Sequence, residues 1–352
     1  MTFKACLRSL GPLACALVLA AYAGEPPAVA RSRAPFPPPP APPQPAAFDL
    51  APGLIQAAAQ YADYMGTRAA VNPNFTSGQD VASALKLGDN FETSAFQRGE
   101  IVYAAVAALQ DPNFVANVRA YGADDQARAA VAADIFANPR FVIGIHGADG
   151  AAGLAIAALM GQGRKLMATG AAVKQAAFDV QHHAWSTQIV PDRDARLAAA
   201  KGASGLGDPA SPQQVANITQ QAQGFSPMDV DGPPASQPYP PLIIDSLAVA
   251  ALAVLGEAGE DHIDKLAPML SEPEGRTCLK RTKASLYECL AVAKPYYEDV
   301  FCLGQHVLAD TGQCLMIDAG APAPIGTIIP LPAPTTSSTP VKSAHKRKTR
   351  RH

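Results

Sequence analysis

The stretch "FVIGIHGADGAAGLAIAA", residues 141–158, decides the fold class because it can be read in two incompatible ways. In one, a buried strand runs into a glycine-rich phosphate loop and a helix, the core of a parallel α/β nucleotide-binding fold. In the other, a short helix breaks at glycine and a second helix begins. The glycines fall at 144, 147, 150 and 153, which fits neither G-x-x-x-x-G-K-[ST] nor G-x-G-x-x-G, and no Gly-Lys-Ser/Thr follows to hold phosphate and magnesium. The preceding residues point the same way. "NPRF" at 138 puts an amide at a helix N-cap and proline in the first turn, where no N–H is missed and the fixed φ helps. A helix over "RFVIGIH" leaves no strand to feed a phosphate loop. Gly147 to Gly150 are then expected to separate two helices, and Gly153, Ala157 and Gly161 to let helices approach closely.

The same short pattern occurs as "DPNF" at 111 and "NPNF" at 72, two further expected helix starts, with a plain turn as the alternative for the copy at 72. Apolar spacing is helical almost throughout the body. Leu54, Ala58, Tyr61 and Met65 share one face, as do Val102, Ala105, Val106 and Leu109, and Leu166, Val173, Ala177, Val180 and Ala184. No convincing strand alternation is present, so the expected fold is all-α: a multi-helix secreted protein.

Composition shifts set the expected boundaries. Lys4 and Arg8, the apolar "LGPLACALVLAA" and the small residues Ala21 and Ala23 read as a secretory signal peptide, residues 1–23; Tyr22 lacks the thiol that lipid attachment needs. Residues 24–47 form a proline-rich disordered leader, 48–225 a helical domain, 226–241 a proline-rich linker, 242–318 a second helical region, and 319–352 a disordered proline-rich spacer with a basic tail. Within the second region, "PLIIDSLAVAALAVLG" carries Asp245 and Ser246 and is too short to span a bilayer; it reads as a buried helix.

After signal removal four cysteines remain, Cys278, Cys289, Cys302 and Cys314, and an even, clustered set in an exported chain predicts two disulfides. Cys278 and Cys289 are eleven residues apart, close to three helical turns, so both face one way. Pro295 allows a turn into a second helix with Tyr297, Val300, Phe301, Val307 and Leu308 inward. An antiparallel hairpin then joins Cys278 to Cys314 and Cys289 to Cys302. The layout resembles the twin-cysteine helical hairpins of the coiled-coil-helix type, with ten and eleven residues between the cysteines where that type has nine. The resemblance covers these 37 residues alone and implies no function. A four-cysteine zinc site is the rival, but the short Cys-x-x-Cys knuckles are absent.

The remaining candidates for chemistry are sparse. His182 and His183 are neighbours that project about 100° apart on a helix and chelate poorly. Trp185 is expected to lie near Lys174 and Phe178 and to pack on another helix. Glu257, Glu260, Asp261, His262 and Asp264 include metal-ligand types, yet acids at 260 and 261 also suit a helix N-terminus. No Gly-x-Ser-x-Gly elbow appears. No cofactor and no metal are expected.

Charge carries the functional reading. Residues 48–318 hold 18 basic and 29 acidic residues, whereas Lys342, Lys346, Arg347, Lys348, Arg350 and Arg351 stand in the last eleven with no acid among them. Such a tail attracts polyanions by counterion release. The expectation is a periplasmic or extracellular, non-catalytic envelope interaction or structural protein whose tail contacts lipid phosphate or acidic polymers, nucleic acid being disfavoured after export. The alternative is an enzyme or metal-binding protein assembled in the fold from His182, His183, Asp261 and His262.

Overall fold

The computed structural model describes residues 48–205 and 207–322. The expected signal peptide and leader, most of the expected spacer and all six tail cations lie outside them. Among the described residues the chain is all-helical; the only extended pairing is two isolated bridges, Leu50 with Ala258 and Ile189 with Pro295.

Among the described residues thirteen α-helices follow one another: α1 (Pro52–Ala69), α2 (Gly78–Asp89), α3 (Thr93–Ala108), α4 (Pro112–Tyr121), α5 (Asp125–Ala137), α6 (Ala148–Asp179), α7 (Arg193–Ala203), α8 (Pro212–Ala222), α9 (Pro241–Leu255), α10 (Ile263–Leu266), α11 (Pro273–Val292), α12 (Tyr296–Cys302) and α13 (Asp310–Asp318). Their starts are chemically marked. Ser77, Asp111, Asp124, Asp192 and Ser211 accept from the N–H three residues on, and Glu92 and Glu272 each accept two N–H groups. The "DPNF" copy begins α4 as expected, and Asn138 caps a 3-10 turn over Pro139–Gly144. The copy at 72 is the turn: Asn72 Oδ1 accepts from Asn74 N, and the helix waits for Ser77.

So residues 141–144 are helical, and no strand precedes the glycines. Gly147 has a left-handed φ of 85°, and a Cβ there would stand 2.6 Å from Phe114 N, so this break requires glycine. Gly150 is not part of the break; it lies in the first turn of α6. The expected close-packing face is also corrected. Gly161 has open space around it, and a Cβ on Gly153 would meet the Pro233 carbonyl oxygen at 2.1 Å, a contact with a loop. Backbone-to-backbone helix packing occurs on another face of α6. A Cβ on Gly163 would sit 2.8 Å from the Gly312 carbonyl oxygen, and one on Gly170 would sit 2.7 Å from that of Gly304. Rising residue numbers on one side meet falling numbers on the other, so α6 and the C-terminal helix cross antiparallel through two glycine pairs.

One apolar core runs from Leu50 to Ala319. Helices α3 and α9 are buried nearly all round and form its centre. Residues 226–241, expected as a linker, are tied down against α6 and the turn that follows α3: Ala235 N donates to the Asp149 carbonyl, Met228 N to Gln110 Oε1, and Tyr239 is buried. No helix among the described residues is long and apolar enough to cross a membrane.

The cysteines pair as the hairpin requires, Cys278 with Cys314 and Cys289 with Cys302, each with Cα atoms 5.8 Å apart. Between α12 and α13 the helix widens into a π segment, Leu303–Ala309. The widening has a geometric consequence. The cysteines of α11 are eleven positions apart, but Cys302 and Cys314 are twelve apart, which at about 3.6 residues per turn would rotate the last cysteine off the seam. A π-bulge absorbs one extra residue and restores the facing. Val300, Val307 and Leu308 are buried as expected, while Tyr297 and Phe301 are half-buried.

Helix α6 ends sooner than its apolar stripe implies. Asp179 is its last residue and a single 3-10 turn follows, because the Ser186 hydroxyl donates to the Val180 and His183 carbonyls and closes the helix end. Ala184 is therefore exposed, and Trp185, off the helix, meets the ring of Tyr296 at 6.4 Å instead of sharing a face with Lys174 and Phe178.

Candidate functional site

The four residues of the alternative reading fall into two adjacent pairs on two separate elements. His182 and His183 are exposed where α6 ends. Asp261 is exposed in the 3-10 turn before α10, and His262 beside it places Nε2 3.2 Å from Glu257 Oε2 with its ring 6.1 Å from that of Phe136. Among the described residues no group of three or more His, Cys, Asp or Glu is arranged to hold a metal ion.

Polar chemistry gathers instead at charged residues set on the apolar stripes of helices. On α11, Lys283 follows the stripe of Leu279, Leu286 and Leu290 into the core. Its ammonium donates to Asp89 Oδ1 at 2.9 Å, the Asp89 carbonyl at 3.0 Å and Ser204 Oγ at 2.8 Å, and lies 3.7 Å from the centre of the Phe91 ring; Tyr287 donates to Asp89 Oδ2. Burial raises the Asp89 carboxyl and lowers the Lys283 ammonium, each opposed by the other's charge. A second buried pair, Arg196 with Asp299, ties α7 to α12, and burial pushes Asp299 up to about 6 against the pull of Arg196.

A third group contains only acids. Glu100 on α3 is fully buried with neither carboxyl oxygen bonded, and Asp318 at the end of α13 leaves Oδ2 without a partner. Asp318 lies over Gly275, where a Cβ would be 2.4 Å from Oδ2. Glu272 caps α11 beside them and exchanges two hydrogen bonds with Gln97, and Asp245 of α9 completes the group. Burial, with Glu272 adding, pushes Asp245 and Asp318 each up to about 7, and Glu274 also raises Asp318. Burial, then Asp318 and Glu272, holds Glu100 well above the carboxylate range. The Tyr61 hydroxyl, buried without a partner, is raised by burial and by Glu100. None of the ion pairs among the described residues involves these acids.

The candidate site is a cleft of about 180 Å³ beside the first of these systems. Its walls are α1, the turn at residues 90–92 that leads into α3, and residues 207–209. The rings of Tyr64, Phe91 and Phe96 form its floor, packed on one another at 5.0–5.1 Å. Arg68, 3% exposed, lies 3.8 Å over the Tyr64 ring and donates through Nη2 to the Leu87 carbonyl, while its Nε is buried without a partner. Asn90 Oδ1 is likewise buried and unpartnered. Three acids line the cleft: Asp63, which accepts from Ser211 N, exposed Asp208, and Glu92, whose oxygens cap α3. Burial lowers the Arg68 guanidinium, and Tyr64 and Asp208 oppose that shift.

No short motif announces this cleft, because its parts come from segments far apart in the chain. A signal was nevertheless present: Arg68 continues the stripe of Leu54, Ala58, Tyr61 and Met65 by one more helical step, a cation where an apolar residue belongs.

Comparison with protein-family models, curated proteins and solved structures finds no match to this chain.

Proposed function

We propose that this chain is an exported, non-catalytic interaction protein of the cell envelope, in which a stapled helical body is held at anionic surfaces by the cationic tail. The observation that carries the reading is the charge division: six Lys and Arg in residues 342–352, and 18 basic against 29 acidic residues over 48–318. Lys342, Lys346, Arg347, Lys348, Arg350 and Arg351 would contact lipid phosphates or acidic polymers, displacing condensed counterions, so attraction weakens as salt rises. The signal-peptide pattern at residues 1–23 and the two disulfides support an oxidising compartment, periplasmic or extracellular.

The test compares the full chain with one ending at Thr339 on anionic and neutral vesicles across a salt series. Binding to anionic vesicles that falls steeply with salt and disappears on truncation is expected. Unchanged affinity and salt slope after truncation would overturn the proposal.

A further inference from the structure

We propose that the cleft between α1 and the turn before α3 binds a small zwitterion of amino-acid or dipeptide size, its carboxylate on Arg68 and its ammonium toward Asp63 and Asp208. This goes beyond the envelope reading and does not depend on the tail.

Arg68 is the first ground. A guanidinium 3% exposed is a buried charge, and burying one without a counter-ion is strongly unfavourable. Asp208 is close enough to favour that charge, yet no carboxylate among the described residues reaches ion-pair distance of Arg68. The Tyr64 ring and the Leu87 carbonyl compensate in part, and Nε remains unmatched. An unmatched buried donor calls for an acceptor, and a carboxylate supplies two in the plane a guanidinium presents.

The lining charge is the second ground. Three acids and one arginine leave the cleft with two net negative charges, so a simple anion would be repelled. A ligand that satisfies Arg68 must also carry a positive group. Asn90 Oδ1, buried and unpartnered, is a further acceptor for an N–H donor. The floor of Tyr64, Phe91 and Phe96 gives an apolar body a surface to lie on. Size sets the third limit, since about 180 Å³ is below the roughly 300–1,000 Å³ of drug-sized sites.

Calorimetry on the full-length protein would use phenylalanine, leucine and alanine in both enantiomers and alanyl-alanine. N-acetylphenylalanine lacks the ammonium, and phenylalaninamide lacks the carboxylate. At least one zwitterion should bind at millimolar concentration or tighter, with either blocked form about tenfold weaker. Arg68→Lys keeps the charge but loses the planar fork and should weaken binding about tenfold. Asp208→Asn, on an exposed residue, should weaken it roughly two- to fivefold and leaves the proposal testable if the arginine variant fails to fold. Absence of binding by every zwitterion, blocked forms that bind as well as their parents, or full affinity in either folded variant would overturn it.

Discussion

Raising the pH from 5 to 8 should destabilise this protein, the reverse of what ordinary paired carboxylates produce. Asp318 and Asp245 are pushed up to about 7 in the folded chain, against an unfolded value near 3.8. From about pH 4 to 7 the folded state therefore keeps protons that the unfolded state has released, and stability falls as pH rises through that window. At about 1.4 kcal/mol per unit, Asp318 alone accounts for about 4 kcal/mol, reduced to about 2–4 kcal/mol as ionisation draws water into the group. Glu100, raised by burial and then by Asp318 and Glu272, and without a hydrogen-bonding partner, acts in the same direction. Urea unfolding at pH 5, 6, 7 and 8 measures the slope. Glu100→Gln keeps the shape, cannot ionise, and should make the fall in stability with pH shallower. Stability that climbs from pH 5 to 8, or a Glu100→Gln slope identical to that of the natural chain, would show that the acids are not buried as neutral groups.

Three further outcomes are expected. Replacing Cys278 and Cys314 by serine should cost about 4 kcal/mol and replacing Cys289 and Cys302 about 3, because the first pair closes the longer loop, a sequence separation of 36 against 13; urea midpoints give the order, and the reverse order would contradict the chain-entropy account. Gly163→Ala and Gly170→Ala place a methyl within 2.8 Å of backbone atoms and should destabilise by about 1–3 kcal/mol, whereas Gly161→Ala, with open space, should stabilise by up to about 1; thermal melts of the three variants decide it. Lys283→Met leaves Asp89 buried without its cation and should cost about 3–5 kcal/mol, while adding Asp89→Leu should recover part of that, as a double-mutant cycle by denaturant unfolding would show.

Much of the architecture is local and was legible in the chain. Caps such as Asp111 with Pro112 act within one turn, so four residues are enough to identify a helix start. The interval between Cys278 and Cys289 is helical arithmetic, and with Pro295 as a turn it settles the pairing that the disulfides adopt. The glycine spacing at 144–153 was enough to reject a phosphate loop for the same reason. What needed the tertiary structure is everything that depends on which face meets which. Helix α6 carries small residues on several faces, and only the position of Gly312 opposite Gly163 and of Gly304 opposite Gly170 selects one, since sequence spacing identifies a face without naming its partner. Its early end depended on Ser186, a hydroxyl that caps only if the chain folds back on the last carbonyls. Arg68, Lys283 and Glu100 stand on apolar stripes, which shows that they point inward. Whether each finds a ring, an acid or nothing is set by residues from distant segments, as Lys283 meets Asp89 across 194 positions, and sequence periodicity carries no information at that range.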